Sequence, residues 1–127
     1  MSKDGIRRAA IVSMPRIMQE SLRAMLEAMP GVEVVALAGG CLSAVRMVRE
    51  KRTDIVVIDS NLPEDEVLAF LKDVKGVHPK IRLVVLTHTT RQLRRILENG
   101  ADAVLSRWSP AEEFTNTILG SVLQGHQ

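Results

Sequence analysis

Asp59 closes the apolar run Ile55-Val56-Val57-Ile58 and is followed by Ser60-Asn61-Leu62-Pro63. A carboxylate at the end of so apolar a run has restricted solvation and needs a partner or a task. Two more groups stand in comparable places: Thr87 ends Leu83-Val84-Val85-Leu86, and Arg107 follows Ala103-Val104-Leu105-Ser106. A carboxylate, a hydroxyl and a fixed cation in one crevice would form an acceptor site for a phosphoryl group. The carboxylate would be the nucleophile, and the other two would bind the transferred oxygens. The same residues also fit a plain Asp59–Arg107 ion pair with Thr87 capping locally, and spacing alone does not separate the two readings.

These residues share a crevice only if the chain folds as alternating strands and helices, and its periodicity predicts that. Short β-branched runs mark strands at Arg8–Ser13, Glu33–Ala38, Asp54–Asp59, Ile81–Thr87 and Ala103–Ser106. Several are almost wholly apolar, as expected of strands covered on both faces. Three- and four-residue apolar spacing marks helices at Arg16–Met29, Leu42–Lys51, Glu64–Val74, Arg91–Asn99 and Pro110–Leu123. Pro30-Gly31 and Asn99-Gly100 read as helix stops, and Ser109-Pro110-Ala111-Glu112 as a capping box. Right-handed crossovers then give a five-stranded parallel sheet with helices on both sides, a doubly wound (βα)5 α/β sandwich forming one domain over residues 1–127. Ligands of such sheets sit at the carboxyl ends of the strands, which singles out Ser13, Met14, Asp59, Thr87 and Arg107.

The composition agrees and narrows the class. At 46% hydrophobic and 25% charged the chain is an ordinary globular one, too apolar for a disordered tail. Its apolar runs fall far short of the roughly 20 residues that span a bilayer. Met1 to Arg8 is polar and unlike a secretory leader, so the expected setting is cytoplasmic, without a membrane. The single cysteine, Cys41, allows no internal disulfide. It lies near a predicted helix start, which would lower its pKa, although a plain loop thiol is the simpler reading. A net charge of +2 spread along the chain, with 2% aromatic residues and no tyrosine, argues against nucleic-acid binding by this chain. The groups Arg46-Arg49-Lys51-Arg52 and Arg91-Arg94-Arg95 read first as solvated helix faces. Trp108 reads as a packed loop residue or a partner anchor, and His88 as a loop residue without metal-ligand companions.

The stretches Leu22-Arg23-Ala24-Met25-Leu26, Pro30-Gly31-Val32-Glu33-Val34-Val35, Asp54 through Pro63, Leu83-Val84-Val85-Leu86-Thr87 and Glu98-Asn99-Gly100-Ala101-Asp102-Ala103 occur in one characteristic order. In them the chain resembles the flavodoxin-like receiver domain of bacterial two-component response regulators, closest to the subfamily followed by a helix-turn-helix output domain. The resemblance implies that Asp59 accepts the phosphoryl group, that Thr87 is the switch hydroxyl, and that Mg2+ is held by Asp59 and the Asn61 carbonyl. It breaks where the family carries two adjacent acidic residues, here Ser13 and Met14, and where its lysine is replaced by Arg107. Val104 stands in for the switch aromatic, and Glu64-Asp65-Glu66-Val67 for a glycine-containing loop. Magnesium favours carboxylate oxygen, which a hydroxyl and a thioether replace poorly.

The resulting expectation is a non-enzymatic, atypical receiver, regulating transcription or a partner through protein–protein contacts. Its alternative is an ordinary receiver phosphorylated on Asp59 with weakened magnesium dependence. Expected partners are a histidine kinase or another signalling protein and a second copy of the chain, with Arg91, Arg94, Arg95 and Trp108 as candidate surface. DNA would be reached only through an output domain absent from these residues.

Overall fold

The computed structural model describes residues 5–59, 61–87, 91–106 and 110–119. Strands and helices alternate as β1 (Arg7–Val12), α1 (Arg16–Glu27), β2 (Val32–Ala38), α2 (Cys41–Glu50), β3 (Ile55–Asp59), α3 (Glu64–Val77), β4 (Arg82–Thr87), α4 (Leu93–Glu98), β5 (Ala103–Ser106) and α5 (Ala111–Leu119). All pairings are parallel, in the order β2-β1-β3-β4-β5. This is the doubly wound (βα)5 sandwich that the sequence periodicity predicts.

The two-residue repeat of the strands divides the core. Val56, Ile58 and Val85 pack beneath α2, α3 and α4, together with Ala44, Phe70, Leu71 and Ile96. Ile55, Val57 and Val84 face the other way, onto Leu22, Leu26, Phe114 and Ile118 of α1 and α5. Every residue of β3 is buried, which explains why its sequence does not alternate.

Element ends differ from the predicted ones in instructive ways. The first helix stops at Glu27 rather than Met29, before Pro30, which has no N–H, and Gly31, whose φ is +77°. The third helix runs to Val77, three residues further than predicted, where the His78 N–H closes on the Val74 carbonyl. Only Leu93–Glu98 of the predicted Arg91–Asn99 is helical, leaving Arg91 ahead of it. Less than two turns long, α4 inserts Ile96 alone and leaves Leu93 and Leu97 exposed. The predicted cap Ser109 and the predicted helix end beyond Leu119 lie outside the described residues.

The amino ends of the strands are closed by charged side chains. Arg7 and Arg82 donate to the Ile118 and Thr117 carbonyls, supplying donors to the last turn of α5. Gly100, at φ +120°, lets the chain turn into β5 against Lys75. A Cβ there would meet the Lys75 Cγ at 3.0 Å and the Leu71 carbonyl oxygen at 3.3 Å. Gly100→Ala combines backbone strain with this crowding and is expected to cost roughly 2 kcal/mol in urea denaturation.

Candidate functional site

The register of the sheet builds the site. Val12 lies opposite Ile58, so the next residue on each strand, Ser13 and Asp59, emerge side by side. The chain leaves β1 toward β2 and leaves β3 toward β4, which makes this the switch point of the sheet. Both residues are fully buried. The Ser13 hydroxyl donates to Asp59 Oδ2 at 3.0 Å, and the Asn61 backbone N–H donates to Asp59 Oδ1 at 3.1 Å. The Leu62 N–H closes on the Asp59 carbonyl at 3.3 Å, so the loop folds back over its own carboxylate. Each carboxylate oxygen therefore accepts a hydrogen bond, which offsets the cost of burying the charge.

Ser13 is itself held in place. Its N–H donates to the Ala38 carbonyl at 2.9 Å, and its carbonyl accepts from Gln19 Nε2 at 2.8 Å. Gln19 was not singled out in the sequence. Its signal is a polar side chain three and seven residues before the buried Leu22 and Leu26, on the inward face of α1. Met14 is 53% exposed, and its side chain lies beside Gly39 at the start of the β2–α2 turn.

Thr87 is buried at the end of β4, one residue beyond the Asp59–Leu86 pairing and opposite Ser106. Asn61 is exposed. The cation of the predicted constellation, Arg107, lies outside the described residues, as do Trp108 and His88. Of the arginine group, Arg91, Arg94 and Arg95 are all exposed, and Arg95 reaches Glu64 at 3.2 Å. That ion pair joins α4 to the first residue of α3, just after the Asp59 loop. It was not anticipated, because its partners are far apart in sequence.

Cys41 corrects an expectation. It is the first residue of α2 and is buried, neither a plain loop thiol nor one with its pKa lowered by the helix start. Burial, with the Glu66 carboxylate adding to it, pushes its thiol up to about 11. The folded state thus disfavours the thiolate, and any stability linked to the thiol is lost as pH rises from its usual value of 9.0 through about 11. Native protein at pH 8 is expected to react with a thiol reagent far more slowly than urea-unfolded protein. Equal rates would contradict the burial.

Similarity to known proteins follows this geometry. The model of the response regulator receiver domain matches residues 10–119. The chain belongs to the response regulator receiver family. A LuxR-family two-component response regulator from Aurantimonas sp. SI85-9A1 superposes on it with a TM-score of 0.85 at 27% identity, covering 94% of this chain and 86% of that one. The nitrate/nitrite response regulator protein NarP of Escherichia coli is 28% identical over 104 residues, 80% of this chain and 48% of NarP. A protein-glutamate methylesterase/protein-glutamine glutaminase of Anaeromyxobacter dehalogenans is 31% identical over 104 residues, 79% of this chain and 28% of the relative. The receiver thus spans less than half the length of these curated relatives. Some of them are enzymes as whole proteins, whereas receiver domains are generally not. No helix among the described residues is long and apolar enough to cross a membrane.

Receiver domains generally bind Mg2+ at an acidic site. Among the described residues of this receiver, no three His, Cys, Asp or Glu side chains gather to hold a metal ion. Beside Asp59 the Ser13 hydroxyl turns its proton toward Oδ2, and the Met14 that follows Ser13 is 53% exposed. A hydroxyl and a thioether are poorer ligands than carboxylates for a hard divalent cation.

Proposed function

We propose that this chain is an atypical receiver, which signals through protein–protein contacts without ordinary magnesium-dependent phosphorylation of Asp59. The observation that carries the reading is the 3.0 Å hydrogen bond from Ser13 to Asp59, between two fully buried side chains. A neutral donor occupies the carboxylate oxygen where a cation would otherwise neutralise incoming phosphoryl charge. The contacts would be made to a histidine kinase or another cytoplasmic signalling protein, or to a second copy. Arg91, Arg94 and Arg95, beside the exposed Leu93 and Leu97, and Trp108 are the proposed surface. Transcriptional output would pass through a DNA-binding domain, as the names of transcriptional regulatory relatives and a DNA-binding response regulator suggest.

One observation favours a second reading. Asp59 and Thr87 keep their places at adjacent strand ends, and the Asn61 N–H already lies on a carboxylate oxygen. An ordinary phospho-accepting receiver with weakened magnesium dependence would use Asp59 as nucleophile, with Thr87 and Arg107 on the phosphoryl oxygens. Titration with Mg2+, with and without beryllofluoride, separates the two. It would follow backbone chemical shifts and the fluorescence of the single tryptophan, with Asp59→Asn as control. No Asp59-dependent response at millimolar Mg2+ is expected. A saturable one would restore the phosphorylated reading.

A further inference from the structure

The helices run opposite to the strands, so the carboxyl ends of α2 and α3 lie at the far end of the sheet from Asp59. There the two helices leave a cavity of about 310 Å³ between them. Its floor is aliphatic, made by Val45 and Val48 of α2 and Val74 and Val77 of α3. Val48 and Val74 are buried in the core, whereas Val77 is 61% exposed and presents apolar surface at the mouth of the cavity. One helix brings Arg49 to the rim and the other brings Asp73. Although both line the same cavity, they are not within ion-pair distance of each other, and neither pairs with another described residue.

We propose that this cavity binds a small zwitterion with an aliphatic body, an α-amino acid with a branched apolar side chain. Its carboxylate sits on the Arg49 guanidinium, whose planar fork matches two carboxylate oxygens. His78, the residue after α3, also lines the cavity. The ligand's ammonium faces Asp73, and its side chain covers the valines. A simple fatty acid would bring its carboxylate to Arg49 but place it near the like charge of Asp73. An aliphatic amine would meet the converse at Arg49. A ligand carrying both charges engages both exposed side chains, and the volume is at the lower end for ligand sites, about 300–1,000 Å³. The site stands apart from Asp59, so it does not depend on how Asp59 is used.

The test is a chemical-shift titration of the receiver with L-leucine, alongside 4-methylpentanoate and 3-methylbutylamine, which each carry one of its two charges. Leucine is expected to give saturable shifts centred on Val45, Val48, Val74 and Val77, with a dissociation constant of about 1 mM or below. Either analogue should bind at least about tenfold more weakly. Arg49→Gln and Asp73→Asn, both at exposed positions, should each weaken leucine by about tenfold, and Val77→Glu should abolish binding. Asp59→Asn should leave it unchanged, which separates this site from the fate of the Asp59 reading. The proposal is overturned if leucine gives no saturation by ~10 mM, if either analogue binds as well, or if the rim variants bind like the parent.

Discussion

Ser13→Asp is expected to lower the thermal midpoint by about 10 °C in EDTA and to regain most of that loss in millimolar magnesium. The parent should show neither effect. In the parent, the Ser13 hydroxyl donates to Asp59 Oδ2 at 3.0 Å in a fully buried setting. Substitution replaces that donor with a second carboxylate at hydrogen-bonding range. Two carboxylates so placed cannot both ionise cheaply, and at neutral pH the cost is roughly 3 kcal/mol. A divalent cation between them reverses the sign of the interaction. Binding to the folded state alone returns about 2.7 kcal/mol when the ion is at a hundred times its dissociation constant. Ser13→Ala provides the contrast. It removes the donor without adding charge, so it should lose about 1–2 kcal/mol and remain indifferent to magnesium. If the parent's midpoint rises with magnesium as much as that of Ser13→Asp, a metal already binds beside Ser13 and the atypical reading fails.

The sheet was legible because each strand states its own burial. Val56-Val57-Ile58 is apolar on both faces, and such a run has one comfortable place, in the middle of a covered parallel sheet. Once β1 and β3 are neighbours, the adjacency of Ser13 and Asp59 follows from register, so half of the site is legible in the sequence. The hydrogen bond between them was not, since spacing does not say which way a hydroxyl turns. Helix ends were less legible. The spacing of Leu93, Ile96 and Leu97 promises an inward face, yet a helix of six residues at the margin of the sheet buries only Ile96. Cys41 was misjudged for a related reason. A residue beside two glycines looks like loop, but Gly40 is extended and α2 begins immediately after it, turning the thiol into the core. Long-range charge pairs such as Glu64–Arg95 leave no periodic trace, which is why they emerge only from the folded chain.

Asp102→Ala is expected to cost roughly 3 kcal/mol or about 10 °C, as much as Ser13→Asp without magnesium. Asp102 does two jobs with one oxygen. Its Oδ2 accepts from the Leu83 backbone N–H at 2.7 Å and lies 2.8 Å from Lys75 Nζ, while its own N–H donates to the Leu83 carbonyl at 2.8 Å. The residue thereby ties the start of β5 to β4 and to the end of α3. Alanine leaves the N–H of the fully buried Leu83 without this acceptor and an ammonium without its counter-charge. The ammonium is the lesser loss, because Lys75 Nζ keeps the Ile81 carbonyl at 2.6 Å, and the pair is a quarter to a third exposed, with side chains at 24% and 30%. Lys75→Met should therefore cost only about 1 kcal/mol, since the aliphatic stem still packs against Gly100 and Asp102 still holds Leu83. A double-mutant cycle by urea denaturation then assigns the energy. A Lys75→Met loss equal to that of Asp102→Ala would place the energy in the ion pair instead of the backbone cap. An Asp102→Ala loss that clearly exceeds it places the energy where the geometry does, in the carboxylate that closes the amino-terminal end of the β4–β5 pairing.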